Sequence, residues 1–166
     1  MAAVLRETAA GLELLLIRRA ERPGDPWSGD MGFPGGHLEP SDAGPLEAAV
    51  RETLEELGLD LERSCDLLGA LGVVRTHLRD GQGPRWVAPF VFALRQEEEL
   101  ALSDEVQEVV WVPVEFLRDS KNRGELVWSG RGEPMTLPCY HFRGRVIWGL
   151  TLRMVDDLLG LGRESV

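Results

Sequence analysis

The chain has 166 residues, a formal net charge of −10 and 43% apolar residues, with 19 Gly and 10 Pro scattered between the apolar stretches. That length fits one domain spanning 1–166, and the balance argues against disorder. The acidity argues against a nucleic-acid partner, which relies on Lys and Arg to displace counterions. No stretch approaches the roughly 18 apolar residues of a membrane span, and no signal peptide is visible. No membrane partner and a cytoplasmic location are therefore expected.

In chain order, Ala2 to Leu5 and Leu12 to Arg18 are apolar runs that predict two strands joined by a short turn. Glu21 to Asp42 is punctuated by Pro, Gly and Asp, and predicts a long irregular loop of functional rather than connective character. Gly44 to Leu57 is the clearest helix, with Asp42 or Gly44 as its cap and Gly58 as its left-handed stop. Leu46, Ala49, Val50, Leu54 and Leu57 define its buried face.

Leu67 to Val74 and Trp86 to Leu94 read as strands around an Asp80-Gly81-Gln82-Gly83 turn. Gln107 to Val112 follows as a strand and Pro113 to Leu117 as a short helix. Met135 to Tyr140 and Arg143 to Ile147 predict two further strands separated by His141-Phe142, before a last helix from Leu150 to Leu159. Helices packed on a mixed sheet in an α/β sandwich cover the apolar faces economically. Cys65 and Cys139 fall in no metal-ligand spacing and are expected to be reduced. His37, His77 and His141 are expected as polar loop residues, and Glu97-Glu98-Glu99 as a solvated turn.

Chemistry concentrates on the first helix. Glu52, Glu55 and Glu56 stand at i, i+3 and i+4, so at about 100° per residue they share a stripe about 100° wide. A solvated acidic face would need more cations than Arg51 supplies. The alternative is a hard divalent ion, since Mg²⁺ prefers oxygen ligands and leaves room for substrate phosphates and water. Directly upstream, Gly32-Phe33-Pro34-Gly35-Gly36 lets backbone approach an ion or phosphate closely.

Arg51-Glu52-Thr53-Leu54-Glu55-Glu56-Leu57-Gly58-Leu59 resembles the second half of the Nudix box, with Thr53 in place of an apolar residue. The first half departs from the pattern, because 14 residues instead of 13 separate Gly36 from Arg51. Counting forward from Gly36 puts Asp42 at the box's first acidic position; counting back from Arg51 puts Ala43 there. The resemblance implies the Nudix α/β/α sandwich with a mixed central sheet and a loop-helix-loop. It further implies Mg²⁺ or Mn²⁺ held by Glu52, Glu55, Glu56 and a carbonyl of Gly35 or Gly36, with Arg51 orienting a glutamate. Catalysis would fall to Arg51, Glu52 and Glu55, with Glu105, or less so Glu108, as a later carboxylate that takes a proton.

Leu15-Leu16-Ile17-Arg18-Arg19-Ala20 followed by Gly29 to Gly36 is similar to the upstream signature of the coenzyme A pyrophosphatase branch. Ile17 replaces a Thr, and the spacing from Ala20 to Gly29 is one residue longer. This likeness implies a small nucleoside-diphosphate derivative as partner, coenzyme A or its thioesters first. Arg19 and Arg22 would meet its phosphates, with Gly36 close by, and Trp27 and Phe33 are candidates to stack on adenine. Other nucleoside-diphosphate derivatives, or a non-catalytic nucleotide sensor, are the competing readings. Association as a homodimer stays open.

Overall fold

The computed structural model describes residues 1–24, 27–77, 84–129 and 133–161. Strands β1 (Ala2–Thr8) and β2 (Gly11–Arg19) form a hairpin. Thr8 closes its turn: Oγ1 donates to the Gly11 carbonyl at 2.9 Å and accepts from the Ala10 amide at 3.2 Å. A two-residue strand, β3 (Met31–Gly32), precedes helix α1 (Pro45–Leu57) and the single turn α2 (Leu61–Ser64). Strands β4 (Cys65–Ala70), β5 (Val74–His77), β6 (Pro84–Val87), β7 (Phe90–Leu94) and β8 (Val106–Pro113) follow. Helix α3 (Val114–Arg118) then leads to β9 (Arg123–Trp128), β10 (Met135–Phe142), β11 (Arg145–Trp148) and helix α4 (Gly149–Leu158).

The main sheet is mixed, with β1 and β7 parallel and its other pairs antiparallel. Its axis is β2. Along one edge β2 pairs with β8 from Glu13 to Arg19; its other edge is divided, β1 taking Gly11–Leu14 and β3 taking Ile17–Arg18. The Ala2 amide bridges the division by donating to the Pro34 carbonyl at 2.8 Å. That bond fixes the start of the Pro34-Gly35-Gly36 loop at the head of β1.

Burial on both faces explains why β1 and β2 read as continuous apolar runs instead of alternating ones. Ala3, Leu14 and Leu16 pack into one layer with Leu152, Met154 and Val155 of α4 and with Tyr140 and Ile147. Ala2, Val4, Leu15 and Ile17 face the other way, toward Leu57, Leu59 and Leu61 around α1. The α/β/α layering and the mixed sheet therefore match expectation. A separate three-stranded sheet, ordered β11-β10-β9, joins the α4 layer and was not anticipated as a sheet of its own.

Several boundaries differ from those expected. The run Leu67 to Val74 is broken after Ala70, and its last residue begins β5, which pairs with β6 in a separate ribbon. Trp86 to Leu94 is likewise divided, at Ala88-Pro89, since proline has no amide for the ladder. The turn expected at residues 80–83 lies outside the described residues. The final hairpin turns at Arg143-Gly144, two residues beyond His141-Phe142, with φ of 48° and 79°. Two successive positive φ angles belong to the hairpin turns that match strand twist, and Gly144 favours them there.

His141 thus lies within β10 and His77 within β5, neither in a loop. Glu98 is not simply solvated: its carboxylate accepts from Ser64 Oγ at 2.7 Å and pairs with Arg63. On α1 the buried face is rotated from the expected one. Leu54 is 48% exposed, whereas Ala48, Ala49, Thr53, Glu56 and Leu57 are buried. Thr53 tolerates burial because its hydroxyl donates to the Ala49 carbonyl at 2.7 Å.

Candidate active site

Helix α1 begins at Pro45 with Gly44, one of its two expected caps, at the N-cap and no side-chain cap, which leaves Asp42 outside that role. Asp42 turns to Arg51 instead. Arg51 Nε and Nη2 donate to the two oxygens of Asp42 at 3.0 and 3.1 Å, a fork-on-fork pair that fixes the plane of the guanidinium. The same guanidinium donates to the His37 carbonyl at 3.0 Å, to Glu55 at 3.2 Å and to Glu52 at 3.3 Å. Arg51 and, next, the Glu39 amide hold the Asp42 carboxyl below its ordinary range. One cation therefore ties the inserted loop to two helix carboxylates. Of the two register choices, Asp42 is the residue that meets Arg51.

Glu56 departs from the outward stripe inferred for the three glutamates. Its side chain lies on the sheet side of α1, only 4% exposed, and accepts the Gly35 amide at 2.7 Å. Burial raises its pKa to about 7; the Gly35 hydrogen bond and Arg19 oppose that rise, while Glu52 and Glu105 add to it. Glu52 stands against Gly36 so closely that a Cβ there would lie 2.2 Å from the Glu52 carboxylate. Gly35 has φ of 131°, and a Cβ on it would meet the Met1 backbone at 2.7 Å. The two glycines thus bring main chain against two different carboxylates, for two different steric reasons.

The remaining candidates divide between those near this pair and those away from it. The loop carrying Glu105 is fastened to α1 by the Ser103 amide, which donates to the Glu56 carbonyl at 2.9 Å. Arg22 pairs with Glu105 at 3.1 Å and with Asp104 at 3.2 Å. Arg19 lies close enough for its charge to act on Glu56. Glu55 is 58% exposed on its side chain and turned to Arg51. Glu108, by contrast, is held by both arms of Arg145. Phe33, expected as a stacking surface, is 2% exposed inside the α4-side core and presents no open ring face. Trp27 is half-buried in the upstream loop. Among the described residues no three acidic, His or Cys side chains stand together as a ready metal cage.

Sequence reasoning did not anticipate the contact of Asp30 with Trp148, across 118 positions of chain, where the indole N–H donates to Asp30 at 3.2 Å. No local spacing announces so long-range a pair.

A mixed sheet carrying this loop-helix with its Arg-Glu and Glu-Glu pairs is what Nudix domains share. The NUDIX domain family model matches residues 1–128, and the chain belongs to that family. It is 32% identical over 149 residues to the human mitochondrial coenzyme A diphosphatase NUDT8, covering 89% of this chain and 62% of that protein. It is 38% identical over 104 residues to an uncharacterized Schizosaccharomyces pombe protein, covering 61% of this chain and 32% of that one. The chain thus spans 32% and 62% of the length of these two relatives. The crystal structure of a Caenorhabditis elegans Ap4A hydrolase complex shares the fold, with a TM-score of 0.59 at 22% identity over 70% of this chain and 79% of that one.

Gly36→Ala is expected to push the flexible Glu52 carboxylate aside without unfolding the protein. Calorimetric titration with Mn²⁺ should then show affinity reduced at least tenfold at an unchanged Tm, and undiminished affinity would contradict the placement of Glu52. For Glu56 the sign is that of a raised carboxyl pKa: the neutral form favours the fold below about 4.5, and that contribution is lost as pH rises through about 7. In a chelator, Glu56→Gln should match wild type near pH 4 and exceed it at pH 8, by on the order of 1–3 kcal/mol in denaturant melts.

Proposed function

We propose that this chain is a divalent-metal-dependent pyrophosphohydrolase that cleaves the phosphoanhydride link of a nucleoside-diphosphate derivative, coenzyme A or an acyl-coenzyme A foremost. The observation that carries the chemistry is the placement of a buried Glu56 and an adjacent Glu52 against the Gly35-Gly36 main chain. Two carboxylates that repel each other in a partly desolvated corner are stabilised by a hard cation. Gly36 leaves beside Glu52 the space that any side chain would fill. The donor set suits Mg²⁺ or Mn²⁺, held by Glu52 and Glu56, with Glu55 joining when it releases Arg51 and the Gly35 or Gly36 carbonyl contributing an oxygen. Such an ion supplies an acidified water and neutralises charge on the diphosphate.

The protein's own groups do the rest. Arg51, pinned by Asp42, holds Glu52 and Glu55 in place. Glu105 stands on a loop fastened to the back of Glu56 and is the carboxylate that takes the proton of the attacking water. Arg19 and Arg22 offer charge-assisted donors to substrate phosphates, Arg22 exchanging Glu105 and Asp104 for phosphate oxygens. Local cations and the bound ion thereby reconcile an acidic protein with an anionic substrate. The preference for coenzyme A follows from the upstream likeness of Leu15 to Gly36 and from the resemblance to the human coenzyme A diphosphatase.

The protein should be incubated with coenzyme A, acetyl-coenzyme A, ADP-ribose, NADH, dinucleoside polyphosphates and 8-oxo-dGTP in Mg²⁺ or Mn²⁺. Conversion of coenzyme A to 3′,5′-ADP and 4′-phosphopantetheine is the expected result. Turnover of another compound with coenzyme A untouched would reject the substrate, and metal binding with no turnover at all would favour a nucleotide sensor.

A further inference from the structure

A cavity of about 280 Å³ lies between the β2–β3 edge of the main sheet and the small sheet, lined by Arg18, Asp30, Met31, Leu126, Arg145 and Trp148 among others. None of these is a residue of the acidic helix, and the proposed hydrolysis uses none of them. Along β2, Arg18 follows Leu14 and Leu16, whose side chains enter the α4-side core, while Arg19 acts on Glu56 from the α1 side. The cavity and the carboxylates therefore lie on opposite faces of β2, and the Met31–Gly36 segment runs from one to the other, Met31 lining the cavity and the Gly35 amide donating to Glu56. Met31 to Gly35 spans at most about 14 Å even if fully extended, a reach that a nucleoside 5′-diphosphate can bridge.

Its walls suit a planar heterocycle. Trp148 is half-buried, and the hydrogen bond from its indole N–H to Asp30 at 3.2 Å locks the ring in one orientation. A ring fixed in this way is a stacking platform that loses little rotamer freedom when a ligand arrives. Arg145 is held flat by its two-armed pair with Glu108, and Arg18 stands 3.9 Å from the same carboxylate. With Arg145 paired to Glu108 and Arg18 paired more closely to Glu21, at 3.3 Å, both guanidiniums are poor phosphate sites but retain planar faces that stack on aromatic rings. Met31 and Leu126 supply apolar wall. The volume falls just under the roughly 300–1,000 Å³ of sites that enclose whole drug-sized ligands, so it fits one moiety of a larger substrate.

We propose that this cavity seats the nucleobase of the substrate, with Trp148 as the stacking surface that sets specificity for the nucleoside end. The proposal rests on the reading of the acidic site as one for nucleoside-diphosphate derivatives. It is tested by binding, so that a failure to hydrolyse coenzyme A leaves it standing or falling on its own. The probe is ADP, added to the ¹⁵N-labelled protein with and without Mg²⁺, while the Trp148 indole N–H resonance, assigned through Trp148→Phe, is followed. A saturable shift of that resonance is expected, together with calorimetric affinity at least tenfold weaker in Leu126→Trp, which fills the cavity. ADP binding that leaves the Trp148 signal unmoved, or no ADP binding by the wild-type protein, would overturn the proposal. The wild-type titration decides the matter even if Leu126→Trp does not fold.

Discussion

The burial of the Glu56 carboxylate against the Gly35 amide is the constraint on which the rest of the site depends. A carboxylate that is 4% exposed costs the fold free energy when ionised, and one backbone hydrogen bond offsets only part of that cost. The residue is nevertheless held there by three attachments. The Pro34 carbonyl is tied to the head of β1, the Ser103 amide binds the Glu56 carbonyl, and Leu57 anchors the adjacent turn in the core. Fold and site therefore meet at one residue. The sheet positions Gly35, Gly35 positions Glu56, and the desolvated anion becomes a place that favours a cation.

Arg51 acts on the other side of the helix as a brace. Its fork on Asp42 closes the loop that leads into α1, and its remaining donors keep Glu52 and Glu55 from drifting apart under their own repulsion. The brace is partly exposed, so its value lies in geometry more than in stability. Glu55 is the least constrained member of the set, its side chain 58% exposed and paired with Arg51. The sheet edge contributes a second arrangement. Because successive side chains on β2 point to opposite faces, Arg18 and Arg19 serve opposite sides of the sheet, one toward the small sheet and one toward α1.

Local pattern made much of this legible. Continuous apolar runs announced β1 and β2, and the Gly-Gly loop, helix and Gly58 stop announced the segment around α1, whose Gly58 has φ of 66° as expected. What the wheel of α1 could not show was which way the acidic stripe tilts. Periodicity counted Leu54 inward and Glu56 outward, but the sheet lies where Thr53 and Glu56 point, and the Gly35 amide supplies the partner that makes burial tolerable. Phe33 misled for a related reason: an aromatic in a Gly-Pro loop resembles a ligand contact until the β3 pairing folds it into the core. Asp42 was ambiguous because the loop carries an extra residue, and its pairing with Arg51 could not be read from spacing. Contacts such as Trp148 to Asp30 depend on the whole topology and leave no trace in spacing.

The central claim is that a buried, partly protonated Glu56 becomes a cation ligand, and proton release on metal binding tests it most directly. Titrations with Mn²⁺ near pH 7, in buffers of different ionisation enthalpy, report the protons displaced per ion bound. With Glu56 titrating at about 7, release of roughly half a proton is expected at that pH, falling toward zero by pH 9 and disappearing in Glu56→Gln. Binding at pH 7 with no proton released, or with release unchanged in Glu56→Gln, would contradict the account.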